Sequence, residues 1–492
     1  MAESLKQKTI SGMIWNAIER FGSSFFLFVS NLVLARLLSP DDFGCIGMLT
    51  VFISISAAIV DGGFGSALIQ KKNPSKADYS TVFFWNLFLA LILYIILYLS
   101  ATAVAKFYKI PSLSDLLKVL GVIVIINSFT LIQQNILKKQ IAFKKLAKMN
   151  LGAIIAGTCV GILFAFLGYG VWSLVIKTLV TGIVQCVVYW LSNHWRPQWV
   201  FSWTAFRSLF KFGSFMFLTS ITNTLYQNIV SLIIGKSFSA AVLGYFTQAR
   251  KLEDVTRQSL SSVVNNVTFP VFSQIQDDKA KLREATRKSL KLLAFINFSI
   301  MTLLIVIAKP LFVFLFTEKW NQSIPFFQMI CISGFIDIAN SLNHNLIASL
   351  GKSHMLLSVR SIQQTVAISL MLLGLIGGLW GLVLGYVFSS YTNFIIASIA
   401  TGKLLNYNLL HQLKDIMPSF VIASIVGTIL FFALKFMPIN NNIMQICIIS
   451  AIYFLLYVGI HKILNIESFN YVLQIITENR NHEKESKRDT GN

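Results

Sequence analysis

Read from its N-terminus, the chain alternates long apolar runs with short polar interruptions. About fourteen runs come near or above the ~20 residues a helix needs to cross a hydrocarbon core. They fall at roughly 13–36, 44–69, 82–105, 114–136, 149–167, 171–191, 212–234, 241–270, 289–308, 325–350, 354–376, 379–402, 416–435 and 443–464. No connection between them is long enough to be a folded domain of its own. The pattern predicts an all-α, polytopic membrane protein with about fourteen transmembrane helices.

Composition agrees and excludes the soluble classes. The 492 residues are 55% hydrophobic and 12% charged, with a mean hydropathy of +0.69, more apolar surface than water-soluble domains of ordinary size can hide. The opening stretch carries Glu3 and Glu19 and lacks a short apolar core followed by a small-residue cleavage site. The first helix is therefore expected to stay on the chain. Cys45, Cys159, Cys186, Cys331 and Cys447 are scattered through apolar spans without metal-ligand spacing and read as small buried hydrophobes.

Charge alters the picture through its placement. The formal net charge is +21, and the dense basic clusters, QKKNPSK (70–76), LKKQIAFKKLAK (137–148) and DDKAKLREATRKSLK (277–291), all lie in connections on one side of a fourteen-span chain. That bias is the positive-inside pattern and places both termini in the cytoplasm. No nucleic-acid signature accompanies the charge, so the expected neighbours are anionic lipid heads and not nucleic acid. The longest cytoplasmic connection spaces Trp195, Trp199 and Trp203 four apart, followed by Phe206 and Phe210. A helix there would have an aromatic and a basic face, as suits a segment in the membrane interface. The last residues are polar, charged and without apolar periodicity, as in a disordered tail.

Two halves repeat. GVWSLV (170–175) returns as GLWGLV (378–383), LARLLSPDDFG (34–44) aligns with 234–244 at an offset of 200, pairing Ser39 with Ser239 and Gly44 with Gly244, and Asn135 in LIQQNIL pairs with Asn345 in SLNHNLI. Six spans lie on either side of the amphipathic linker, so both copies enter the membrane in the same direction, as parallel repeats with a path expected between them. The resulting division is a six-helix lobe (1–191), a linker (192–211), a second, pseudo-symmetric six-helix lobe (212–402), two additional helices (403–464) and a tail (465–492).

This architecture, with LARLLSPDDFG, LGYFTQARKLE (243–253) and FPVFSQIQ (269–276), resembles the polysaccharide transporter branch of the multidrug/oligosaccharidyl-lipid/polysaccharide exporter superfamily, the Wzx-type flippases of bacteria. The resemblance implies paired lobes, alternating access, and export of an undecaprenyl-pyrophosphate-linked oligosaccharide from the cytoplasmic to the outer leaflet of the bacterial inner membrane. The lipid-linked oligosaccharide and membrane lipids would be partners, with a polysaccharide polymerase and glycosyltransferases acting alongside.

The charged residues inside spans carry the chemistry. Arg20, Lys177, Arg250, Lys251, Arg257 and Arg360 are basic; Glu19, Asp61, Glu253, Asp254 and Asp337 are acidic. Each costs about 2.5–3.5 kcal/mol at a helix centre on insertion scales, so none is expected to face lipid. In QARKLEDVTRQSLSS (248–262) a helical period sets Arg250, Glu253, Asp254, Arg257 and Ser261 in an arc of about 100 degrees. Two readings stand: the pairs Arg250/Asp254 and Glu253/Arg257 satisfy each other along the helix, or the stripe lines a hydrated cavity whose arginines grip phosphate through their planar fork. On the second reading Arg250 and Arg257, helped by Arg20, Lys177 and Arg360, hold the substrate phosphates.

Asp61 in AAIVDGGFG and Asp337 in SGFIDIAN stand as lone carboxylates among apolar neighbours. With Glu253 they are the residues that could couple transport to a proton or sodium gradient; a salt bridge or a helix end is the plainer account. The acids of LLSPDDFG fit a cap, with Ser39 at the N-cap, Pro40 at the first position and Asp41 and Asp42 in the first turn. The histidines have no HExxH or triad context, and no phosphate-binding GxxxxGK[ST] loop is present, so no cofactor, metal site or ATP hydrolysis is expected. The alternatives are a cation-coupled multidrug exporter, which should be dominated by acids in its cavity, and a membrane polymerase or ligase, which needs a larger outer loop than KPLFVFLFTEKWNQSIP (309–325).

Overall fold

The computed structural model describes residues 22–436 and 441–471, together with Trp15 and Ile439. Among them there is no strand, and the described parts of the apolar runs are helical, some as two consecutive helices. The chain divides between Thr247 and Gln248 into two compact units.

The first unit holds α1 (Gly22–Leu37), α2 (Pro40–Asp61), α3 (Phe64–Gln70), α4 (Lys76–Tyr108), α5 (Leu113–Leu120), α6 (Val122–Lys139), α7 (Phe143–Phe166), α8 (Val171–Ser192), α9 (Trp203–Ser237) and the first turns of α10 (Ala240–Gln274). The α2 start is capped as its residue types require. Ser39 Oγ accepts the Asp42 N–H at 3.3 Å while Asp42 Oδ2 accepts the Ser39 N–H at 2.9 Å, with Pro40 at the first position. Its repeat-mate Ser239 accepts the Val242 N–H at 3.3 Å at the head of α10.

The two aligned glycines then meet each other's segment. A Cβ on Gly44 would lie 1.8 Å from the Ala240 carbonyl oxygen, and one on Gly244 would lie 1.9 Å from that of Pro40. Glycine at both positions lets these backbones touch. Gly170 (φ 52°) and Gly378 (φ 69°), which open the two hexamers, both hold a positive φ where a helix begins. The repeat is imperfect: α2 stops at Gly62 (φ 53°) and Gly63 (φ 73°) before α3, whereas α10 runs unbroken to Gln274, and Gly121 separates α5 from α6, whereas α13 is continuous.

The aromatic connection is only partly helical. Residues 193–202, which include Pro197, are extended and lie along the start of α4, Gln198 and Ser202 donating backbone N–H groups to Ser80 Oγ (2.9 Å) and Thr81 Oγ1 (3.0 Å). Helix α9 begins only at Trp203 and passes uninterrupted through 211 and 212. Its buried Phe206 and Leu209 join Phe64, Phe83, Ile132 and Ile136 in a core, while Trp199 remains 93% exposed.

The second unit comprises the rest of α10, α11 (Lys279–Val306), α12 (Ala308–Phe316), α13 (Ser323–Ser349), α14 (Ser353–Gly374), α15 (Gly378–Leu405), α16 (Leu409–Lys435) and α17 (Asn442–Ile463). As α7 packs on α8, so α14 packs on α15, Gly374 and Gly381 touching through backbone atoms. The two C-terminal helices are tied to α11. Asp415 on α16 accepts hydrogen bonds from Tyr407 (2.8 Å) and Arg287 (3.1 Å) and pairs with buried Lys291 (3.0 Å), which also holds Glu467 beyond α17. Buried Asn343, Ser398, Thr401 and Gln412 complete a satisfied polar network joining α13, α15 and α16.

Candidate functional site

The α10 stripe folds as its period requires, because Ser239 starts the helix and no proline interrupts it before Pro270. Its charged residues meet α13. Glu253 is 2% exposed. Its Oε1 lies over Gly334, where an added Cβ would stand 3.1 Å from that oxygen and 3.2 Å from the Met301 sulfur. Glycine at 334 is thus what lets a carboxylate reach the α13 backbone. Asn297 on α11 holds the same stretch of α13, donating to the carbonyls of Gly334 (3.0 Å) and Phe335 (2.8 Å).

One turn further along α13, Asp337 lies in the field of Arg257, Asp254 and Arg250. Arg257 bridges two acids on its own helix, Glu253 Oε2 at 3.5 Å and Asp254 through a direct hydrogen bond. The expected i,i+4 pair Glu253/Arg257 is present, and Asp254 also pairs with Arg257, three residues on. Asp337 thus shares its surroundings with charged residues of α10, although among the described residues no ion pair within 4 Å joins it to either arginine. The cluster has two arginines facing three carboxylates, a balance that Lys251 would at most make even.

The remaining sequence-derived residues lie elsewhere. Lys177 on α8 runs its stem across Gly161 of α7 and donates to Ser30 of α1 at 2.6 Å. Asp61 ends α2 and turns its carboxylate to the backbone N–H groups of Gly63 and Gly65, so it anchors the start of α3. A Cβ on Gly65 would stand 2.8 Å from that carboxylate and 2.9 Å from Asn135 Nδ2. Arg360 projects from α14 beside His344 of α13. Arg20 lies outside the described residues.

Sequence reasoning passed over His344. Its Nε2 is 3.0 Å from Gln363 Oε1, and Gln363 Nε2 donates to Asn340 Oδ1 (3.1 Å) and the Asn393 carbonyl (2.6 Å). The signal was faint, since a single histidine in an apolar run has no local motif; its spacing of seven from Asp337 was the available clue. No group of three or more His, Cys, Asp or Glu able to hold a metal occurs among the described residues.

A bundle of long apolar helices with ionic and amide networks inside its membrane-spanning segments defines a multi-pass membrane protein of the transporter type. The chain belongs to the polysaccharide biosynthesis protein family, whose family model matches residues 33–325. It is 24% identical over 431 residues to the teichuronic acid biosynthesis protein TuaB of Bacillus subtilis (strain 168), covering 87% of this chain and 89% of that protein. It is 29% identical over 355 residues to the lipopolysaccharide biosynthesis protein WzxC of Escherichia coli (strain K12), covering 70% and 71%. Among solved structures, the lipid II flippase MurJ in an inward closed conformation superposes with a TM-score of 0.73 at 14% identity, over 92% of this chain and 99% of that one. An inward-facing MATE multidrug transporter gives 0.59 at 15% identity, over 85% and 98%. These structural likenesses establish the fold.

Proposed function

We propose that the protein is a flippase that carries an undecaprenyl-pyrophosphate-linked oligosaccharide from the cytoplasmic to the outer leaflet of a bacterial cytoplasmic membrane by alternating access. The observation that supports it most is the setting of the charged groups. Arg250, Glu253, Asp254, Arg257 and Asp337 sit together inside membrane helices, where lipid would reject them, on a fold shared with a lipid II flippase. A polar, hydrated lining lowers the barrier for an anionic head group while the lipid tail stays in the bilayer. Both termini then lie in the cytoplasm, and an adjoining polymerase and glycosyltransferases would consume and supply the cargo.

The test is depletion of the protein in its host. Lipid-linked repeat units should accumulate in the inner leaflet, shielded from reagents added outside, and re-expression should clear them; unchanged leaflet distribution refutes the proposal. A second reading, cation-coupled drug export, draws on the three carboxylates of the cluster and on Glu253 and Asp337 as carriers of a proton or sodium ion. It predicts dye extrusion from loaded vesicles under an imposed proton or sodium gradient, with no effect of depletion on lipid-linked sugars.

A further inference from the structure

Helix α16 has two faces of opposite character. Gln412, Asp415 and Ser419 are buried and hydrogen-bonded inside the second unit. Lys414, Met417, Pro418, Val421 and Ile422 follow the i, i+3, i+4, i+7, i+8 spacing of a single helix face and line a cavity of about 470 Å³. Pro418 contributes a wall without an amide N–H, so the regular hydrogen bonding of α16 is broken at the level of the cavity. The opposite wall is Leu464 and Ile466, just beyond the end of α17. Asn465 between them holds a φ of 50°, and Glu467 fastens this segment to Lys291 of α11.

The lining is apolar except for Lys414. That side chain is exposed, and among the described residues its ammonium makes no hydrogen bond or ion pair. In the topology proposed above α16 enters the membrane from the cytoplasmic side. The ammonium then stands at the level of the lipid headgroups, and Ile422, about 12 Å further along the helix, lies among the acyl chains. A neutral apolar molecule would leave the ammonium unmatched, and a soluble anion would leave the apolar walls unfilled. A ligand with a negative charge at one end and hydrocarbon at the other satisfies both.

We infer that this cavity binds one anionic glycerophospholipid of the cytoplasmic leaflet, its phosphate on Lys414 and one acyl chain between α16 and the 464–466 segment. The inference needs the membrane topology and is independent of what the protein carries. The bound lipid bridges the start of α16 and the end of α17 on the side away from the Asp415 network.

Native mass spectrometry of the purified full-length protein, titrated with phosphatidylglycerol and with phosphatidylcholine of the same chains, tests it. The first phosphatidylglycerol should bind about fivefold more tightly than the first phosphatidylcholine, the effect of one basic residue at an anionic lipid surface. Lys414→Gln should bring the two lipids level, and Lys414→Arg should keep the preference. Val421→Trp, placed in the path of the acyl chain, should weaken phosphatidylglycerol binding by about tenfold or more, the worth of roughly two buried methylenes. Lys352→Gln, an exposed lysine between α13 and α14 outside the cavity, should leave both affinities unchanged. Lys414 is exposed and Val421 is 42% exposed, so both variants should match wild type in size-exclusion and thermal-unfolding profiles. Equal binding of the two lipids by wild type, a preference that survives Lys414→Gln, or Val421→Trp binding as wild type does overturns the inference. An equal loss in Lys352→Gln overturns it in favour of general surface attraction. Tighter binding of geranylgeranyl pyrophosphate, lost in the same two variants, overturns it in favour of a prenyl-phosphate site. The leaflet assay reads the cargo and stands or falls separately.

Discussion

Replacing Asp415 by asparagine tests what ties the last two helices to the second unit. The Asp415 side chain is 9% exposed and faces two cations, Arg287 Nε at 3.1 Å and Lys291 Nζ at 3.0 Å, the latter with its own side chain only 7% exposed. It also accepts the Tyr407 hydroxyl at 2.8 Å. Asparagine keeps the shape but removes the charge, leaving Lys291 and Arg287 to share Glu467, whose side chain is 57% exposed and so well screened. Breaking a buried pair by removing one partner costs about 3–5 kcal/mol; because Glu467 retains part of the compensation, the lower end, ~3 kcal/mol, is expected. For a unit of this size that corresponds to a fall in Tm of roughly 6–12 °C, read by tryptophan fluorescence during thermal unfolding in detergent. Adding Lys291→Met to Asp415→Asn removes the stranded ammonium and should recover at least about 1 kcal/mol, a coupling that two independent sites would not show. A single variant within about 1 °C of wild type, or a double variant that falls by the sum of the two singles, would refute the reasoning.

Two further outcomes follow from the same coordinates. Gly44→Ala and Gly244→Ala should each destabilise by about 1–3 kcal/mol through overpacking, because the added carbon meets backbone carbonyls at 1.8 and 1.9 Å, whereas Gly152→Ala, with nothing within 4 Å, should be silent in the same thermal assay. The Glu467 carboxyl is held below its usual range by its hydrogen bond to the Lys291 ammonium. A group whose folded pKa is depressed contributes stability that is fully present above its unfolded value, near 4.3, and is lost as pH falls through the folded value. Thermal stability of wild type relative to Glu467→Gln should therefore be constant near neutrality and decline below about pH 4; an advantage that instead declines as pH rises would refute the assignment.

Much of this was legible in one dimension. Hydropathy is a local sum, and in lipid the backbone must satisfy itself within each span, so the apolar runs alone marked the helices. The repeat was legible because glycine has few substitutes where φ is positive or backbones touch: Gly170 and Gly378 head equivalent helices, and Gly44 and Gly244 cross each other's segment. Serine before a helix start told its own story at positions 39 and 239. The break after Asp61 was written in the adjacent glycines, although a local signal alone left its carboxylate open to a coupling role.

What the tertiary structure decided was partnership. Lys177 and Ser30 are 147 positions apart, and nothing local to either predicts that the ammonium ends on that hydroxyl. The same holds for Asp337, which looks isolated in its own segment and finds arginines on another helix. A charge buried in a membrane protein is defined by the field of groups distant in sequence, and that field exists only after the helices have packed. The order of residues determined which segments cross the membrane and that they do so twice over; the packing determined which charges come to lie beside one another.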